Sequence, residues 1–282
     1  MLHKFSLHKI DNEKSFTFKP YEYSRFKYGD DLVAEKFGED LASAFIVEIL
    51  QSYNLEKIQM VVISSPYSFI PTATFAMKNY FVKFLNRWLV QQKYLPVQES
   101  KIHREVTYKE DYGNLTKEER ITLIKNDKFQ IEKAFLENKL IIFLDDIRIT
   151  GSHEKMIQTT LEKFKIENDY CLLYFAELIN DNISPKIENY FNNYCVKSLN
   201  DLLKIINSER FVFNTRFIKF ILNANENECK SFLLIQDTNF LNKFYDLSIG
   251  NNYHSIEAYK NNFEYLEKLI YQKVNKKIQY GN

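Results

Sequence analysis

The residues with most chemical potential lie together in 140-LIIFLDDIRITGSHEKM-156, where Asp145 and Asp146 follow five apolar residues and a Thr150-Gly151-Ser152 turn comes shortly after. Carboxylates accept hydrogen bonds from sugar hydroxyls or hold a hydrated Mg²⁺. The amides of a tight turn and of a helix N-terminus point at an anion, glycine permits close approach, and Thr and Ser hydroxyls add donors, so the turn suits a phosphate. A sugar phosphate satisfies both halves. An unpaired charge is costly to desolvate, so both acids are expected at the wet C-terminal edge of a buried strand, where open α/β sheets bind ligands. On that expectation, Asp145→Asn and Asp146→Asn weaken ligand binding and leave the fold intact.

The elements that must position these residues follow from the rest of the chain. Residues 30–53 carry apolar residues at helical spacing with acids in the first turn, and Gly38 is a tolerated interruption. A β-rich run at 58–64, the loop SPYSFIPTA and a helix over 73–91 capped by Thr72 give strand, loop, helix. Residues 97–106 read as a second strand, followed by a long polar stretch and a helix starting near Lys117. The strand 139–144 leads through the acidic turn into a helix over 153–164. A strand over 170–178, a short helix around 185–192 and a fifth strand over 194–199 follow. Strands alternating with helices predict an α/β fold, a parallel sheet of about five strands covered by helices, with right-handed crossovers. Beyond Asn200 the pattern is helical, so residues 1–200 are expected to form the α/β domain and 201–282 a helical C-terminal region.

Composition limits the function classes. In 282 residues, 45% hydrophobic and 16% aromatic content supplies a globular core, and only six Gly and five Pro favour long helices with short connections. A net charge of +1 gives no long electrostatic grip for nucleic acid. Cys171, Cys195 and Cys229 are widely spaced with no C-x-x-C pair, so they indicate neither a disulfide framework nor a zinc site. No secretory apolar run and no stretch of about 18 apolar residues is present, and a cytoplasmic protein that does not engage a membrane is expected. Neither a P-loop nor a Gly-rich dinucleotide fingerprint occurs.

The stretch 141-IIFLDDIRITGSH-153 resembles the binding motif for 5-phosphoribosyl 1-pyrophosphate (PRPP) of the type I phosphoribosyltransferases: four apolar residues, two acids, a short apolar pair and a small-residue turn containing Thr-Gly. It matches at the apolar run, Asp145, Asp146, Ile147, Thr150 and Gly151, and departs at Arg148, Ile149 and His153. The resemblance covers roughly residues 55–200. It implies transfer of the 5-phosphoribosyl group from PRPP to a nitrogen acceptor with Mg²⁺ as cofactor, and suggests a homodimer. Asp145 and Asp146 would hold the ribose hydroxyls and the metal, and Thr150, Gly151, Ser152 and His153 the 5-phosphate. Arg148 pairs with Asp146 or a helix acid, or faces the pyrophosphate; His153 caps the helix or donates to phosphate.

Two further assignments rest on position within the resemblance. The loop 64-SSPYSFIP-71, with Ser64, Ser65, Pro66 and Tyr67, would take pyrophosphate, although it carries no cation. A flap over 101–115 would bring Lys101, His103, Arg104 and Lys109. The stretch 21-YEYSRFKYGD-30, with Arg25 and Lys27, lies in an N-terminal segment (1–54) that either forms a hood over the acceptor or reaches the pyrophosphate, or else packs its aromatics under the sheet. Two rival readings are a regulator that binds PRPP without turnover and a Mg²⁺-dependent phosphohydrolase using the two acids. The other predicted strand ends supply too few acids for a hydrolase metal cage.

Overall fold

The computed structural model describes residues 2–104 and 129–280, with the backbone alone at Leu2, His103, Arg104, Phe129 and 274–280. A five-stranded, all-parallel sheet forms the centre: β1 (Leu2–Ile10), β2 (Gln59–Ser64), β3 (Gln98–Ser100), β6 (Lys139–Arg148) and β7 (Tyr170–Leu178), in the order β1-β7-β6-β2-β3. A separate two-residue strand, β4 (His103–Arg104), pairs antiparallel with β5 (Phe129–Gln130). The predicted second strand, 97–106, is therefore split between β3 and β4. The predicted helix near Lys117 lies outside the described residues.

The fifth strand of the sheet is the N-terminal segment, not 194–199. In 194-YCVKSL-199 the chain turns, and Ser198 with Asp201 forms a capping box that opens a helix at Leu199. In LHKFSLHKI the apolar Phe5 and Leu7 pack on the core while Lys4 and Ser6 reach Glu177 of β7, an alternation suited to an edge strand. Burial also moves the His8 pKa down to about 4, helped by the nearby charge of Lys36.

Two helices follow β1. Helix α1 (Pro20–Lys27) starts with Pro20 in the first turn, so the aromatic-basic stretch at 21–30 is helical for most of its length. Helix α2 (Asp31–Glu48) is capped by Asp30, which accepts from the Val33 amide. Helix α3 (Ala73–Gln91) is capped by Thr72, accepting from the Phe75 amide at 3.3 Å. At Gly38 the helices α2 and α3 touch so closely that an added Cβ would stand 2.4 Å from the Met77 carbonyl oxygen. The absence of a side chain there is a packing requirement.

Alternate residues of the central strands serve two cores. Leu140, Ile142 and Leu144 face α2 and α3; Ile141 and Phe143 face the opposite layer, which includes Met156 and Leu161 of α5 (Ser152–Lys163). The single-turn α4 (Lys133–Leu136) precedes β6, and α6 (Ile187–Asn192) follows β7. A third core is built by α7 (Leu199–Ile206), α8 (Thr215–Leu222), α9 (Glu226–Leu234), α10 (Thr238–Gly250) and α11 (Lys260–Tyr280). It also takes in Tyr28 and Ile70 from the α/β region. Among the described residues, no helix is long and apolar enough to cross a membrane.

Candidate active site

Strand β6 does not end at the acids. It continues to Arg148, with Asp145 opposite Tyr174 and Arg148 opposite Glu177 of β7, so the two-residue period turns the adjacent carboxylates to opposite faces of the sheet. Both are buried, at 9% and 5% exposure, which overturns the expectation of a wet strand edge. Each acid avoids the cost of burial through its own set of donors.

Asp145 faces the α5 layer. Its Oδ1 accepts from the Ser65 hydroxyl at 2.7 Å and from the Asp146 amide at 3.0 Å, and its Oδ2 lies 2.8 Å from His153 Nδ1. An ionised carboxylate only accepts, so against it Nδ1 carries the proton. Asp145 thus joins the end of the 64–71 loop to the first turn of α5. The turn between is shaped by Gly151, whose φ of +70° is the left-handed conformation that favours glycine. Thr150 Oγ1 and Ser152 Oγ are 2.7 Å apart at its two sides.

Asp146 faces α1 and α3. Its Oδ2 accepts from the Tyr23 hydroxyl at 2.5 Å and from the Lys27 ammonium, and its Oδ1 accepts from the Thr74 hydroxyl at 2.8 Å. Burial alone would raise its pKa. The Lys27 charge, followed by the three hydrogen bonds, outweighs that and holds the carboxyl well below the usual range. Burial and then the charge of Asp146 push the Tyr23 phenol far up, so it remains a donor.

Arg148 resolves to the helix-acid pairing. Its Nε donates to Glu154 at 2.7 Å and its Nη1 lies 3.2 Å from Glu177, a carboxylate also held by Lys4 and Ser6. The guanidinium lies over the turn, where a Cβ on Gly151 would come within 3.0 Å of Nη2.

The 64–71 loop receives its cation from outside. Lys101 Nζ donates to the Ser68 carbonyl at 2.8 Å and stands 3.8 Å from the centre of the Tyr67 ring. Desolvation there lowers the Lys101 pKa, and burial followed by the charge of Glu99 raises that of Tyr67. Ser64, Ser65, Pro66, Asp145 and His153 line a cavity of about 20 Å³, room for about one water. Tyr174, which also lines this cavity, is 2% exposed, and its hydroxyl has no hydrogen-bond partner among the described residues. Burial, then the charge of Asp145, raises its pKa, so the phenol stays protonated. Sequence reading passed over Tyr174, and only the β6–β7 register reveals it as the neighbour of Asp145.

Two candidates are drawn elsewhere. Arg25 is engaged with Asp30 at 2.6 Å, and Lys27 serves Asp146 on the face away from Asp145. Residues 105–128, which hold Lys109 and most of the predicted flap, lie outside the described residues, as do the side chains of His103 and Arg104. A second cavity, of about 350 Å³, lies beside Thr72, Phe75, Tyr80 and Phe213, and neither acid lines it.

The acids do not fit a protein-held Mg²⁺. Their carboxylates diverge across the sheet, the oxygens of Asp146 are taken by an ammonium and two hydroxyls, and no cluster of three or more His, Cys, Asp or Glu among the described residues could hold a metal. The geometry therefore does not turn Asp145 and Asp146 toward one shared ion.

Comparison with known proteins gives a family but no near relative. No curated protein matches the chain. Among solved structures, a hypoxanthine phosphoribosyltransferase from Staphylococcus aureus is similar at 12% identity over 52% of this chain and 75% of its own, with a TM-score of 0.31. One from Trypanosoma cruzi, solved with the product IMP, has 10% identity over 54% of this chain and 77% of its own, with a TM-score of 0.33. Likeness at that level carries no weight about ligands. The family match spans the sheet, the Asp145 site and most of the C-terminal helices: residues 1–266 match the PRTase ComF-like family, and the chain belongs to it as a phosphoribosyltransferase.

Proposed function

We propose that the protein transfers the 5-phosphoribosyl group of PRPP to a nitrogenous base or related nitrogen acceptor, releasing pyrophosphate. The observation that carries this reading is the convergence on Asp145 of the 64–71 loop, through Ser65, and the first turn of α5, through His153. One acid thereby stands between a phosphate-type turn and a loop that has a lysine at its edge.

In this reading Asp145 accepts from a ribose hydroxyl in exchange for one of its present donors. The amides after Gly151, with Thr150, Ser152 and His153, take the 5-phosphate. Arg148 adds positive charge over that turn, partly offset by Glu154 and Glu177. Ser64, Ser65, Pro66, Tyr67 and Lys101 take the pyrophosphate end, and His103 and Arg104 belong to the same proposal. The C1–O bond breaks with its electron pair leaving on pyrophosphate. The acceptor nitrogen's lone pair forms the C1–N bond, and any proton it carried goes to solvent. The positive charge that develops at C1 lies near Asp145, so the chain's contribution is positioning and electrostatics. Magnesium would arrive with PRPP as the counter-ion of its pyrophosphate and would offset charge on the leaving group. A cytoplasmic location belongs to the same proposal.

The test is pyrophosphate release on mixing the protein with PRPP, Mg²⁺ and a panel of purine, pyrimidine and pyridine bases, beside calorimetric titration with PRPP alone. Binding that falls at least about tenfold in Asp145→Asn, a loss on the scale of a hydrogen bond to a charged group, is the expected result. An Asp145→Asn protein that binds PRPP as tightly as the parent sinks the proposal.

A further inference from the structure

We propose that the C-terminal helical region is part of the substrate machinery: through Asn251, with Thr215 and Gly250, it fixes the shape of the 64–71 loop. This rests on the assignment of that loop to pyrophosphate made above. Asn251, the residue that ends α10, is 3% exposed. Its Oδ1 accepts from two consecutive loop amides, Phe69 at 2.9 Å and Ile70 at 3.0 Å, while its Nδ2 donates to the Tyr253 hydroxyl at 2.9 Å. Two amides meeting on one oxygen require a specific local turn of the backbone.

The remaining polar groups of that end are held from α8. The Thr215 amide donates to the Pro71 carbonyl at 3.0 Å, and its hydroxyl donates to the Ile70 carbonyl at 2.8 Å. Ile70 is fully buried in the C-terminal core. The Phe69 ring, half exposed, lies so close to Gly250 that an added Cβ would stand 2.2 Å from its Cδ1. At its other end the loop is tied to the reaction site, by Ser65 to Asp145 and by Lys101 to the Ser68 carbonyl. A loop fixed at both ends presents its amides and hydroxyls to an anion without first losing conformational freedom. Asn251 is thus a positioning residue, and the helical region takes part in setting affinity.

The experiment titrates the full-length protein calorimetrically with inorganic pyrophosphate and with PRPP, each with Mg²⁺, and follows amide hydrogen exchange at 66–71. Asn251→Ala should weaken both ligands about tenfold, the worth of one or two hydrogen bonds. It should also speed exchange at Phe69 and Ile70 while the β6 amides keep their protection. Asn251→Asp, which retains the acceptor, should recover affinity to within about threefold of the parent. If Asn251→Ala does not fold, Thr215→Val, close to isosteric, carries the same comparison with the same expected direction. Faster exchange at Phe69 and Ile70 with unchanged affinity overturns the inference and leaves the assigned function standing. A parent protein that binds neither ligand removes both.

Discussion

Breaking a buried ion pair from one side leaves a charge without its partner, and that sets the different fates of the two acids. Asp146→Asn leaves the Lys27 ammonium facing a neutral amide within the core, so a stability loss of about 3 to 5 kcal/mol is expected in urea denaturation. Asp146→Asn combined with Lys27→Met should regain most of that loss, since neither charge then needs compensation. An equal loss in the double variant would show that Tyr23 and Thr74, not the charge pair, carry the effect. By contrast Asp145→Asn, whose neighbours are a serine, an amide and a histidine, should lose less stability and most ligand affinity. The turn at 150–153 and its link to Asp145 are readable in 141-IIFLDDIRITGSH-153 because His153 is close to Asp145 in sequence, whereas the Ser65 contact is not. The separate role of Asp146 is not, because Tyr23 and Lys27 are more than a hundred residues away and only the fold brings them near.

At the level of elements, the sheet edge and the α2–α3 contact each make a testable demand. The edge strand β1 carries His8, whose pKa is about 4 in the folded protein against an ordinary value near 6.5. A depressed folded pKa means that the unfolded chain binds the proton first. The contribution of neutral His8 is therefore complete above about pH 6.5 and is lost as pH falls toward 4. Denaturation midpoints measured across that interval should fall more steeply in the parent than in His8→Gln; parallel curves would reject His8 as the source. The contact of α2 with α3 offers a second test. Gly38→Ala places a methyl group against the backbone of Met77 and Phe81, and overpacking of this kind should cost about 1 to 3 kcal/mol, read from the same denaturation experiment. Most helices and the central strands were legible because their apolar residues repeat at 3.6 or appear as short continuous runs. β1 escaped because its alternation is diluted by lysines and histidines that an edge strand tolerates. The stretch 194–199 misled because an apolar run of three carries less information than the Ser198–Asp201 cap that follows it.

For the molecule as a whole, the helical region and the sheet region are interleaved. The Asp31 amide donates to the Arg210 carbonyl, the Val212 amide to the Gly29 carbonyl, and a Cβ on Gly29 would overlap the Val212 oxygen at 2.1 Å. Tyr28 and Ile70, supplied by the first 200 residues, are almost wholly inside the core of the last 82. A fragment ending at residue 200 should therefore expose those side chains and fail to give the sharp single melting transition expected of the full chain, as seen by circular dichroism or calorimetry. A fragment that melts as cooperatively as the parent would support an independent unit ending at residue 200. The same topology has a consequence during synthesis. β1 lies at the edge of the sheet and its partner, β7, ends at Leu178, so a growing chain emerging from the ribosome carries Leu2–Ile10 without its pairing strand until the α/β region is nearly complete. That interval is the period in which a chaperone, or a second nascent chain, has a free strand edge to bind.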